Sequence, residues 1–320
     1  MELPPPLREA VDRVLSGVAP PELAATAAAL SRRYRQECHD GKLHVESQQE
    51  ALAYLAVRLP ATYAAVRASF TAVAEARPDF APRTALDIGA GPGTALWAAA
   101  DCWPDLADAL LVEASPVFRA CADELAAHAR LPRVTWRIAD AAREIIDCAP
   151  RDLVTLAYAL NELAPQIRQP VLQRLWQMTA DTLVIVEPGT PAGWQRILAA
   201  RRELVERGAY VVAPCPHAHA CPLAPPDWCH FVERVPRSRL HRQAKGGEVP
   251  WEDEKFSYVA LARVRPAWEG ARVIARPRKA SGRVTLKLCR ADGSAGDQLF
   301  SRRDASLFKR AWRSDWGSSL

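Results

Sequence analysis

Leu86-Asp87-Ile88-Gly89-Ala90-Gly91-Pro92-Gly93-Thr94 puts three glycines at alternate positions, directly after an apolar run and directly before an Ala-rich, helix-forming segment. Glycines so spaced let the backbone turn sharply off a strand and approach a ligand closely, while the next helix offers the unpaired N–H groups of its first turn. Such a loop suits a nucleotide cofactor. It departs from the dinucleotide fingerprint G-x-G-x-x-G, because its third glycine comes one residue early and an Asp precedes the turn. The pattern points to S-adenosylmethionine, which has no pyrophosphate, so that Asp87, Gly89, Gly91 and Gly93 would cradle a methionine carboxylate and a ribose. Glu113 ends the run Leu110-Leu111-Val112-Glu113 about 20 residues past the loop, the place of a carboxylate that accepts hydrogen bonds from ribose hydroxyls. Asp140 ends the next run, from Val134, where it could face the adenine amino group. Asn161 and Glu162 follow a fourth run. Either could position an amine or take a proton, since transfer from a sulfonium needs alignment more than strong acid–base help. Either suits a helix cap equally well.

Four of the eight cysteines make a second constellation. Cys215, Cys221 and Cys229 are spaced Cys-x5-Cys-x7-Cys in a stretch dense in proline and histidine, and Cys289 follows at a distance. So much proline excludes a helix from 214 to 230. A loop of this composition is hard to order by packing alone, which gives a metal crosslink a physical reason to exist. Four thiolates suit Zn²⁺ or an iron–sulfur cluster, and disulfides are disfavoured in a reducing compartment. The spacings are wider than common zinc pairs, and His217, His219 and His230 complicate a count of ligands. Spacing alone leaves the metal open. Cys38, Cys102, Cys121 and Cys148 read as ordinary, partly buried thiols.

The elements that must position these groups alternate between strand and helix. Apolar runs ending near Ile88, Glu113, Asp140, Tyr158 and Glu187 are separated by helix-length connections, which predicts an α/β fold with a parallel sheet. In such sheets ligands lie at the carboxyl ends of the strands, where the loop, Glu113, Asp140 and Asn161 would converge. The chain has 320 residues, 49% of them hydrophobic, enough for a main domain with appendages. No uncharged apolar stretch reaches membrane-spanning length and the start has no secretory pattern, so the cytoplasm is the expected compartment. Charge is uneven: residues 231–320 hold 20 Lys and Arg against 10 Asp and Glu, a balance of +10, which leaves −5 for residues 1–230. A local excess of this kind is the footprint of a phosphate-backbone contact, with Arg276, Arg278 and Lys279 as candidates. Trp251, Trp268, Trp312 and Trp316 interleave it and could stack on bases or serve as core.

The glycine loop, the Cys-Pro-His stretch ending in Trp228-Cys229-His230-Phe231, and Pro250-Trp251-Glu252-Asp253-Glu254-Lys255-Phe256-Ser257-Tyr258 together resemble the methyltransferase-like proteins associated with assembly of the small ribosomal subunit in bacteria and mitochondria. The resemblance runs from about Tyr54 to Trp316-Gly317. It implies a Rossmann-like class I methyltransferase fold, and a 4Fe-4S cluster on Cys215, Cys221, Cys229 and Cys289, with zinc as the alternative. It also implies the small subunit or its precursor, and its ribosomal RNA, as partners, and the mitochondrial matrix as the compartment in a eukaryote. Expected boundaries are an N-terminal helical region over 1–75 that caps the core or touches RNA, and a methyltransferase domain over 76–265 with a Cys-rich insertion at about 213–250. A basic extension with short strands follows over 266–320, tied back through Cys289. Catalysis itself stays open: the Asn/Asp-Pro-Pro-aromatic motif of base N-methyltransferases is absent after Tyr158, and no cysteine lies between Cys148 and Cys215 to attack a pyrimidine. A methyltransferase of ribosomal RNA, a non-catalytic assembly factor, and a methyltransferase of a protein or small molecule all fit the residues.

Overall fold

A computed structural model describes residues 1–35, 43–127, 131–141, 143–144, 146–267 and 270–320; Cys38 and Trp268 lie outside them. Four helices come first: α1 (Pro5–Val14), α2 (Pro20–Arg35), α3 (Gln48–Val57) and α4 (Leu59–Ala76). Ser47 caps α3 and Glu50 bonds back to the Ser47 N–H, a reciprocal capping box that fixes where this helix starts. Strand and helix then alternate through β1 (Thr84–Ile88), α5 (Thr94–Cys102), β2 (Asp108–Glu113), α6 (Pro116–Ala126), β3 (Arg133–Ile138), β4 (Arg151–Ala157), α7 (Pro165–Gln177), β5 (Thr179–Pro188) and α8 (Pro191–Glu206). Helices α6, α7 and α8 each carry Pro in the first turn, where the missing N–H costs nothing. Next come β6 (Tyr210–Ala213), β7 (Phe231–Pro236), α9 (Arg239–Lys245) and β8 (Trp251–Ala262).

The large sheet runs β3-β2-β1-β4-β5-β8-β6. Its first five strands are parallel, and β8 is antiparallel to both β5 and β6. The order reverses at β1, so the crevice at the carboxyl ends of β1 and β4 is the topological switch point, where ligands of open α/β sheets sit. Central strands are continuously apolar because both faces are covered: Leu86, Leu153, Leu183 and Ile185 have no accessible surface. Strand β8 is long enough to do two things. Its second half pairs with β5 and β6, while Trp251–Lys255, rich in charge, pairs with β7 alone.

Helix α4 is part of the core. It packs on α5 and against β7 and β8, with residues buried right around its circumference from Leu59 to Ala76. Its small residues make that possible, since Ala61, Ala64, Ala65 and Ser69 admit close neighbours on every side while Tyr63 and Phe70 fill the gaps. A smaller antiparallel sheet of β9 (Ala271–Val273), β10 (Arg278–Ala280), β11 (Arg283–Arg290) and β12 (Ala295–Ser301) has its own apolar cluster, and α10 (Ala305–Arg313) packs on it. Among the described residues no helix is long and apolar enough to cross a membrane.

Candidate functional site

A cavity of about 490 Å³ opens at the switch point, lined from every direction the strand order predicts. Gly89 and Gly91 come from the β1 turn, Glu113 from the end of β2, Asp140 from beyond β3, and Asn161 and Glu162 from beyond β4. Gly89, Gly91 and Gly93 all have positive φ, at 67°, 53° and 80°. At Gly89 a side chain would also strike Ala159, whose Cβ would lie 2.7 Å from the added carbon. Gly93 does not line the cavity; it starts α5, and its bare α-carbon faces Leu111 and Trp136. Asp87 is not a lining residue either. It is buried, accepting a hydrogen bond from Thr155 Oγ1 at 2.5 Å, and among the described residues its Oδ2 has no hydrogen-bond partner. Burial, with some help from the Glu113 charge, pushes Asp87 up to about 7.

Glu113 ties the loop to the next strand. Its Oε2 accepts the Gly91 N–H at 2.8 Å and its Oε1 the Ser115 N–H at 2.8 Å, and burial still raises its pKa. Each carboxylate oxygen keeps a lone pair for a further donor. Asn161 is buried, with its N–H bonded to Glu187 at 3.3 Å and, among the described residues, no partner for its Oδ1 at the cavity wall. An acceptor with no partner among the described residues, on one cavity with two positive-φ glycines and a glutamate, suits the ammonium and ribose hydroxyls of a nucleoside that carries an amino acid on its sulfonium, so the residues present fit such a cofactor. Asp140 is half-buried and pairs with Arg143 at 3.2 Å.

A further part of the cavity lining was not visible as a set in the sequence. Tyr34, His44, Tyr54, Arg58 and Tyr158 line it together with Glu162. His44 stacks on Tyr34 with centroids 4.7 Å apart and places Nε2 3.7 Å from Glu162. Tyr158, a non-glycine residue at φ 56°, donates its hydroxyl to Glu254 at 2.8 Å, and Arg58 lies 3.4 Å from the same carboxylate. Left-handed backbone at a bulky residue beside a pocket is strain of the kind held at functional sites. Crowding by the cavity wall, although the side chain stays 37% exposed, and then the Glu113 and Glu187 carboxylates push Glu162 up to about 8. The N-terminal segment is fastened beside Glu113, since Ser115 Oγ donates to the Val45 carbonyl at 2.8 Å.

On the far side of α8, Cys215, Cys221, Cys229 and Cys289 line one small cavity. Three come from the irregular stretch between β6 and β7, and Cys289 from β11 of the small sheet. Burial first, then the neighbouring thiols Cys215 and Cys221, pushes Cys289 up to about 12. The cysteines are free thiols, and among the described residues no group of three or more His, Cys, Asp and Glu is disposed to hold a metal ion. The stretch is mated to the small sheet at several points: His230 packs edge-on to Trp316 at 4.8 Å, His219 fills the space beside Gly293, and Lys287 pairs with Asp227. Trp228 Nε1 donates to the Gly189 carbonyl just past β5, and Ser257 Oγ to the Cys229 carbonyl.

Strand order, switch-point cavity and glycine turn define the class: an α/β protein with a Rossmann-like methyltransferase fold. The family model described as "Mitochondrial small ribosomal subunit Rsm22" matches residues 48–320, and the chain belongs to that family. It is 31% identical over 295 residues to the human ribosome assembly protein METTL17, mitochondrial, covering 84% of this chain and 62% of that protein. It is 23% identical over 339 residues to the mitochondrial Rsm22-cox11 tandem protein 2 of Schizosaccharomyces pombe, covering 87% of this chain and 44% of that one. The chain therefore spans only about three-fifths, or less than half, of these relatives' lengths. Among solved structures, magnesium protoporphyrin IX methyltransferase of Synechocystis with bound S-adenosylmethionine matches 73% of this chain and 91% of its own, at 14% identity and a TM-score of 0.40.

Proposed function

We propose that this chain is an S-adenosylmethionine-binding, methyltransferase-like protein that acts in assembly of the small ribosomal subunit, on its ribosomal RNA or a precursor particle, with a 4Fe-4S cluster on Cys215, Cys221, Cys229 and Cys289. The observation that carries the cofactor is the convergence of Gly89, Gly91, Glu113, Asp140 and the unpartnered Asn161 Oδ1 on one cavity at the switch point. Family membership supports the ribosomal setting, and the mitochondrial names of the relatives support the matrix if the source is eukaryotic. The four cysteines gathered round one cavity support a tetrathiolate group there, with zinc as the competing occupant. Labelled cofactor incubated with the protein and immature small subunits, followed by mapping of modified nucleotides, tests the functional reading. Failure to bind either the cofactor or the particle would sink it.

Methyl transfer is a second reading, favoured by the acid and aromatic residues that line the cavity. Asn161 would align the acceptor and Glu162 would take its proton, beside Tyr34 and Tyr158. Recovery of an unmodified particle with the cofactor still bound would leave the assembly role and reject the catalytic one.

Glu113→Ala should weaken cofactor binding by about 1.5–3 kcal/mol, because it removes a charge-assisted acceptor and also frees the Gly91 N–H it holds. Calorimetry with unchanged affinity would reject the ribose assignment. A pH effect should accompany binding. Glu162 holds its proton more tightly when folded than when unfolded, so ligand-free stability falls as pH rises from the ordinary carboxyl range to about 8. A sulfonium favours the ionised carboxylate, so cofactor affinity should rise over the same interval and level off above it. Affinity independent of pH from 6 to 9, or a Glu162→Gln variant with the wild-type profile, would exclude this role.

A further inference from the structure

Two arginines are buried against the ring of cysteines. Arg201 of α8 is 5% exposed and lines the same cavity as the four thiols. Its Nη2 donates to the His217 and His219 carbonyls at 2.7 and 2.8 Å, inside the Cys215–Cys221 loop. Arg272 of β9 is 1% exposed; it donates to the Pro214 carbonyl at 3.1 Å, next to Cys215, and to the Gly317 carbonyl at 2.8 Å. Its backbone lies directly across from Cys289 in the β9–β11 ladder. One guanidinium thus approaches from the large domain and the other from the small sheet.

A guanidinium stays charged wherever it is buried, and a buried charge without a countercharge costs several kcal/mol. Among the described residues Arg201 has no carboxylate at ion-pair distance, and the hydrogen bonds it makes go to neutral carbonyls. Asp227, the acid nearest the cysteine loop in sequence, is already paired with Lys287. Four neutral thiols would leave the arginine uncompensated. Four thiolates around Zn²⁺, or around an oxidised 4Fe-4S core, carry a net charge of about −2, which two guanidiniums balance.

We propose that Arg201 and Arg272 are the countercharges of the thiolate ring, positioning residues that hold a dianionic tetrathiolate group in place between the α8 side and the small sheet. The inference rests on the tetrathiolate reading given above. It assigns the two arginines a role in retention of the group and, where the group is redox-active, in its potential, because fixed positive charge favours the more negative reduced state.

The test uses the full chain purified without oxygen, with Arg201→Met, Arg272→Met, and the lysine replacement at each position. Metal and sulfide content, the rate of loss to a chelator and the reduction midpoint are measured. Each Met variant should release its metal at least about tenfold faster than wild type. For a one-electron couple its reduction constant should fall about tenfold, a shift of about 59 mV to more negative potential. Lysine keeps the charge but not the forked hydrogen bonds, so its midpoint should stay near wild type even if the protein melts earlier. Met variants that match wild type in both release and midpoint would overturn the proposal. So would lysine variants that lose metal as fast as Met, because that pattern marks a purely structural role. Wild-type protein that holds neither iron nor zinc would overturn the tetrathiolate reading itself, a result distinct from either of these.

Discussion

Cys229→Ser is expected to abolish loading of the thiolate ring and to cost on the order of 4 kcal/mol of apparent stability, a fall of roughly 10 °C in melting temperature. The reason lies in what the ring joins. Cys229 follows Trp228, which is bonded to the turn after β5, and its own carbonyl accepts the Ser257 hydroxyl of β8. Cys289 sits in β11, so a group shared by the four thiolates would crosslink two sheets that otherwise meet through ring packing and a few polar contacts. Serine retains the volume and the backbone hydrogen bonds, which confines the change to the sulfur. Protein purified without oxygen should contain iron and sulfide near four each, and the variant should have lost both, together with the visible colour. A variant with full metal content and an unchanged melting temperature would exclude Cys229 as a ligand. Stoichiometric zinc without iron in the wild type would establish the alternative occupant.

The sequence makes the strand-end part of the candidate site legible because its signals are local. Each of Gly89, Gly91, Glu113, Asp140 and Asn161 stands at the end of an apolar run, and in a parallel sheet those ends meet at one edge. Legibility stops where contacts join distant segments of ordinary composition. Tyr34 lies in α2, His44 and Arg58 in connecting positions and Tyr158 just past β4, and nothing in their spacing announces that they line one cavity with Glu162. Arg201 and Arg272 are hidden in the same way, one in a helix with several arginines and one in a three-residue strand. Helix α4 shows the opposite difficulty: its Ala-rich sequence suits a cap on the core, yet small residues on all sides let it enter the core. Gly93 and Asp87 belong to the loop pattern but serve its support, one by starting α5 and the other by anchoring to Thr155.

Replacing Lys279, Lys309 and Arg313 by Ala should weaken binding to small-subunit RNA and reduce the slope of log affinity against log salt by about 2 to 3, leaving cofactor affinity intact. The excess of positive charge in residues 231–320 motivates the prediction, and the structure redistributes it. Of the three residues the sequence singles out, Arg278 is held by Asp297 at 2.6 Å in an exposed pair, which dilutes its share. Lys279 lies over the Trp312 ring at 5.9 Å, and Lys309 and Arg313 stand one turn apart on the exposed side of α10 with Trp312 between them. Leu307 is half exposed on the same helix. Cationic side chains around an accessible aromatic ring combine phosphate contacts with a stacking platform for an unpaired base. Each neutralised phosphate releases condensed counterions, so a surface that works in this way must show steep salt dependence in the wild type and a shallower one in the variant. Trp312→Ala should lower affinity with little change in slope, since stacking releases no counterions. Cys289→Ser should weaken binding too, by freeing the small sheet rather than by removing charge. If the triple substitution leaves affinity and slope untouched, this face does not meet RNA. If wild-type binding is insensitive to salt, the electrostatic basis of the ribosomal reading is gone, and a protein or small-molecule substrate becomes the better account of the cavity.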